Sequence, residues 1–236
     1  MPWSNQTLQQ VQAQTTRLQQ NIMVWLQNPQ NVPIQWEGPS LYFHKVLVNF
    51  ANEIPDLLER AANPFFSERL YACLASWGMH RFDNPNARLV EYRAFSQEIN
   101  NLAQQLSPLS DLRLHQLDEH NFQEVSNMLT GLIDNIQVVV AGWPLVANTK
   151  LIHHMLPHLV PPIDRKYTLK FFINRTDDSN NLPSYTFSQL FESFWTVAVA
   201  NGQVLEQMCV NTWELPNAWN TTVPKLIDNA LVLALR

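Results

Sequence analysis

A chain of 236 residues with 46% hydrophobic and 11% aromatic side chains can bury a sizeable core, which excludes wholesale disorder. Only 15% of its residues are charged, against roughly 25% in ordinary proteins, and Asn and Gln fill the shortfall. At a net charge of −5 it lacks the broad basic surface from which non-specific nucleic-acid binding draws its affinity, so any such contact is local.

Leu8, Val11, Thr15, Leu18, Ile22 and Trp25 recur in steps of three and four among glutamines, which predicts an amphipathic helix ended by Asn28 and Pro29. Its narrow stripe is expected to lie on the chain's own domain. The alternative is that residues 8–25 serve a protein partner or a homodimer. Pro29, Pro33 and Pro39 make the following stretch an extended connector, after which Ser40 is expected to cap a helix carrying Leu41, Val48, Phe50 and Ala51. Pro55 is expected to open the next helix in its first turn, and Asn63-Pro64 to close it.

Further helices are expected over 65–77, 87–106, 121–140, 145–156, 165–174, 186–200, 203–210 and 223–235. The best strand candidate is 138–140, but Phe122, Val125, Leu129, Leu132, Ile136 and Val139 carry a helical period straight through it. Five glycines and 15 prolines, the latter mostly between helical patterns, suit short helices joined by stiff turns. The expected fold is all-α: one multi-helix globular domain over 1–236, with a lobe boundary near 107–121, a cleft between the lobes, and no sheet of three or more strands.

Cys73 and Cys209 stand alone, without a CxxC, so neither a disulfide framework nor a cysteine-based zinc site is indicated. The opening MPWSNQTLQQVQAQ lacks the basic and apolar regions of a signal peptide, and no run of about 18 apolar residues would span a bilayer. A soluble cytoplasmic protein is expected. There is no Walker A, G-x-G-x-x-G or G-x-S-x-G motif, which removes support for the common nucleotide-hydrolysing, Rossmann and hydrolase readings.

Charge is concentrated in one place. From Lys150 to Arg175 five basic residues stand against one acid, Asp164. The Pro161-Pro162 pair forces an extended approach to Asp164, which is placed to cap a helix starting at Arg165. Lys150, 14 residues earlier, is expected on the preceding helix facing the same cleft, which makes Asp164 and Lys150 the candidate catalytic pair. His154, Arg165, Lys166 and Tyr167 are candidate ligand contacts around it. His154 and His158 have the i, i+4 spacing of helical metal ligands, but Pro157 intervenes and no Glu follows the first histidine as in H-E-x-x-H. These histidines are expected to hydrogen-bond at a helix end, with no metal and no cofactor; a metal-dependent hydrolase ranks third among the readings. Upstream, Gly78 is in the position of a helix C-terminal cap. Trp77 is either a core residue or a stacking face, and His80 and Arg81 on the loop beyond are free to reach a ligand.

TKLIHHMLPHLVPPIDRKY, from Thr149 to Tyr167, resembles a group of uncharacterised bacterial all-helical proteins with a small residue, Lys, x-x-His, a proline-rich turn and Asp. LYACLASWGMHR, from Leu70 to Arg81, looks like a second block of the same group. The helix, turn, helix and Pro-x-Asp order is more remotely similar to the helix-hairpin-helix DNA glycosylases of base-excision repair. That resemblance implies a hairpin on backbone phosphates and an Asp, here Asp164, that assists glycosidic-bond cleavage. At the turn, where the family carries Gly-x-Gly, this chain has Val146-Ala147-Asn148, and the cluster cysteines of the iron-sulfur members are absent. The implied function is binding of, or glycosylase-like hydrolysis on, a nucleic acid or nucleobase in the cleft near Lys150 and Asp164. A non-enzymatic interaction module or homodimer is the alternative.

Overall fold

A computed structural model describes residues 3–27, 38–80, 88–141, 144–175, 184–213 and 218–236. The expected all-α class holds: helices follow one another along the chain, and the described residues contain only a two-stranded ribbon besides.

Helix α1 (Asn5–Gln27) buries the expected stripe, Val11, Thr15, Leu18 and Ile22, against the chain's own core. Leu8 and Val24 on the same helix stay exposed. Helix α2 (Pro39–Glu53) starts on Pro39 and follows Gly38, whose φ of 93° favours glycine. Ser40 is thus inside the helix, not its cap, and its hydroxyl donates to the Ser76 carbonyl at 3.1 Å. Helix α3 (Leu57–Ala62) is capped by Asp56, so Pro55 sits just before it. Helix α4 (Pro64–Leu74) is capped by Asn63, which accepts from the Phe65 amide at 3.0 Å. A wide π turn, Ala75–Met79, extends α4 and stops at Gly78, whose φ of 81° turns the chain as a left-handed cap does.

Strand β1 (Arg88–Leu89) precedes helix α5 (Tyr92–Leu106), and helix α6 (Glu119–Ile133) precedes strand β2 (Val139–Ala141), which pairs antiparallel with β1. Both segments were expected as longer helices. Asn148 explains where α6 stops: its buried amide donates to the carbonyls of Ile133 at 2.7 Å and Ile136 at 3.2 Å, satisfying the helix end and turning the chain into the strand. Ile136 and Val138 remain buried in the extended segment, so the apolar spacing served the core without a helix.

Helix α7 spans Pro144–Met155. After the Pro161-Pro162 approach, a π turn (Arg165–Leu169) runs into helix α8 (Lys170–Ile173), closed by Asn174 in the left-handed conformation. Helix α9 (Ser184–Thr212) covers both segments expected as 186–200 and 203–210. Helix α10 (Val223–Ala234) is buried along its length from Val223 to Val232 and packs against α1 and α9. One apolar cluster runs from Val11 to Leu231. The 107–121 segment, expected as a lobe boundary, contributes Leu109, Leu114 and Leu117 to it through two short 3-10 turns. Each fully buried phenylalanine of α9, Phe187, Phe191 and Phe194, is worth roughly 1.5–3 kcal/mol of transfer free energy, which fixes α9 as the long support for the rest. Among the described residues no helix is long and apolar enough to cross a membrane.

Candidate functional site

A cleft of about 390 Å³ opens where the π turn after α4, the middle of α7, the Asp164 turn and α10 meet. That volume is within the roughly 300–1,000 Å³ of small-molecule sites. Two ion pairs stand in it. Lys150, from α7, reaches the Oδ2 of Asp164 at 3.2 Å, and Lys225 reaches the Oδ2 of Asp228 at 2.7 Å, both from α10.

Asp164 does two jobs with its two oxygens. Oδ1 accepts from the backbone amides of Lys166 at 2.7 Å and Tyr167 at 3.3 Å, which makes it the expected N-cap, while Oδ2 takes Lys150. Burial works to raise its pKa, but the Lys150 ammonium and these hydrogen bonds outweigh burial and hold the carboxyl below its ordinary range. Asp228 is pushed the other way. It is buried, and burial outweighs the Lys225 ammonium that pulls against it, so its carboxyl keeps a proton more readily than a free aspartate does. Lys225 is also held by Asn229 Oδ1 at 2.5 Å, and Asn229 in turn donates to the Trp219 carbonyl at 3.0 Å.

Trp77 and Trp219 pack against each other at 6.0 Å between ring centroids and form one aromatic wall, to which Tyr167 adds. The lysines lie along it: Lys150 is 5.6 Å from the Trp77 ring, and Lys225 is 5.2 Å from that of Trp219. Trp77 is fixed by its indole N–H, which donates to the Ser40 carbonyl at 3.2 Å.

Of the residues singled out in the sequence, Lys150, Asp164, Lys166, Tyr167 and Trp77 line this cleft. His80 and Arg165 do not; the His80 ring lies toward Tyr71, 6.1 Å away. Arg81 lies outside the described residues. His154 is buried behind the wall, edge-on to Trp77 at 4.6 Å. The i, i+4 partner His158 is elsewhere, bonded through Nε2 to Asn52 Oδ1 at 2.8 Å in a second cleft of about 410 Å³ that also holds Arg113, His115 and Glu206.

Sequence reasoning missed Trp219, Lys225 and Asp228. The signal was present, since Lys225 and Asp228 are charges three apart in a segment that is otherwise apolar except for Asn229. The turn that the glycosylase resemblance assigns to Val146-Ala147-Asn148 is an interior stretch of α7, so no hairpin is formed there. No protein-family model, curated protein or solved structure was found to match the chain.

Proposed function

We propose that the cleft binds a nucleobase or a nucleoside, lying against the Trp77–Trp219 wall. The observation that carries this reading is the pairing of that wall with two Lys–Asp pairs in one pocket. An aromatic wall favours a planar ring. Ammonium groups only donate and carboxylates only accept when ionised, so the pocket rim alternates donor and acceptor, as the edge of a nucleobase does. A free base or nucleoside fits better than a duplex. The chain is acidic overall, and a continuous helix replaces the hairpin that would sit on phosphates.

The opposite displacement of the two carboxyls favours a hydrolytic reading of the same site. Asp164, ionised, stabilises positive charge developing on the sugar. Asp228 gives its proton to the base nitrogen as the bond to C1′ breaks and the electron pair leaves with the base. Water adds its oxygen to C1′, and the proton it sheds returns to Asp228.

Titration calorimetry with adenine, guanine, hypoxanthine, uracil and their ribonucleosides tests binding. Saturable binding of at least one of them, weakened tenfold or more in Trp77→Leu, is expected; no binding across the panel overturns the reading. Chromatography of the same nucleoside mixtures after incubation separates the two forms of it, because only a hydrolase releases free base, and release should be lost in Asp228→Asn.

A further inference from the structure

Behind the aromatic wall, and outside the cleft, His44 of α2 and His153 and His154 of α7 are fully buried with one ring nitrogen from each within 4.8 Å of the others. The Cys73 sulfur from α4 is 3.2 Å from His154 Nε2, and His44 Nδ1 is also 3.2 Å from that atom. In a tetrahedral site with metal–nitrogen bonds of 2.0–2.1 Å, ligating nitrogens are about 3.3 Å apart, so the His44–His154 spacing is already that of two ligands.

The outer nitrogens are each fixed on an oxygen. His153 Nδ1 meets the Val160 carbonyl, His154 Nδ1 the Lys150 carbonyl and His44 Nε2 the Thr221 hydroxyl, all at 2.7 Å. A carbonyl can only accept, so the Nδ1 of His153 and His154 carry the protons and their Nε2 atoms keep lone pairs, that of His154 facing His44 Nδ1 and Cys73 Sγ. This is how metal-bound histidines are oriented from behind. His153 Nε2 has no hydrogen-bond partner among the described residues, although it is completely buried. Buried nitrogens almost always have a partner, and a lone pair without one is where an ion would sit.

We propose that His44, His153 and His154 form a buried binding site for a late transition-metal dication, zinc by preference. Three imidazoles are donors that select zinc over the oxygen-seeking calcium and magnesium. Burial already keeps the three rings neutral, as ligands must be. The ammonium groups of Lys150 and Lys225 lie nearby, that of Lys150 paired with Asp164 and that of Lys225 held by Asp228 and Asn229. The ion would tie α2 and α7 together behind Trp77. This inference is independent of what the cleft binds.

The full chain is unfolded in guanidinium with chelator, then refolded with zinc or cobalt. About one equivalent bound per chain is expected, with a higher melting temperature than the metal-free protein. Cobalt should show the visible absorption of a tetrahedral site, which His44→Gln should remove. His153→Gln should lower the stoichiometry or weaken affinity at least tenfold. Less than a tenth of an equivalent in the wild-type chain, or stoichiometric binding indifferent to both substitutions, overturns the site. Should the variants fail to fold, the wild-type stoichiometry and cobalt spectrum decide alone.

Discussion

Lys150 and Asp164 are joined across the proline-rich turn between α7 and the π turn, Nζ to Oδ2 at 3.2 Å, with the lysine side chain 7% exposed and the aspartate 30%. The aspartate thereby caps a helical turn and neutralises a buried cation at once. A sequence reading that treats Asp164 as a cap alone expects Asn to replace it cheaply.

The ion pair changes that expectation. Asp164→Asn keeps the cap but leaves Lys150 nearly buried without its counter-charge. Its cost should exceed the ~1 kcal/mol of a lost cap and stay below the roughly 3–5 kcal/mol of a broken, fully buried pair, because Asp164 is partly exposed. Asp164→Ala should cost about 1 kcal/mol more. Adding Lys150→Met to Asp164→Asn should recover part of the loss. Urea denaturation of the three variants reads these differences, and equal stability of wild type and Asp164→Asn would show that the pair contributes nothing.

His158 should make the fold acid-sensitive. Its Nε2–H donates to Asn52 Oδ1 at 2.8 Å, and its Nδ1 accepts from Arg113 at 3.4 Å, an arrangement open only to the neutral ring. Burial, with Arg113, Arg60 and His115 adding to it, lowers its pKa from 6.5 to about 4. The unfolded chain therefore takes up the proton first. The stabilisation is complete above the unfolded value of about 6.5 and is lost as pH falls from there toward 4. His158→Gln should lose less stability than wild type between pH 6.5 and 4, measured by denaturant midpoints at fixed ionic strength. Parallel profiles would contradict the assignment.

Gly202 is a packing requirement in the middle of α9. A methyl group built there collides with the Cβ of His115, on the 3-10 turn packed against the helix. Gly202→Ala would gain about 1 kcal/mol of helix propensity on an open surface. Here the overpacking should reverse the sign and cost roughly 1–3 kcal/mol. An unchanged or higher melting temperature would mean that the turn moves aside without penalty.

The helical class and half of the cleft were legible in the sequence. The 3.6-residue spacing of α1 survived intact because its stripe is a single face against one core. It misled at Ile136 to Val139, where the same apolar residues are buried by extended backbone and the deciding contact, Asn148 to two carbonyls, comes from the next element. Lys150 and Asp164 were visible as a local charge cluster. Their neighbours Lys225 and Asp228 lie far along the chain on α10, and only tertiary packing brings them together. His154 drew notice for its spacing to His158, yet the residue that meets it is His44, 110 positions away. Sequence separation of that size carries no periodic signal.

The central claim, a planar ligand against the Trp77–Trp219 wall, is tested most directly by the indole N–H signals of the 8 tryptophans in a nitrogen-15 correlation spectrum. With Trp77 and Trp219 assigned by substitution, titration of a bound base or nucleoside should shift these two saturably while the remote indoles of Trp25 and Trp195 stay in place. Shifts confined to other tryptophans, or none at all at saturating ligand, would contradict the account.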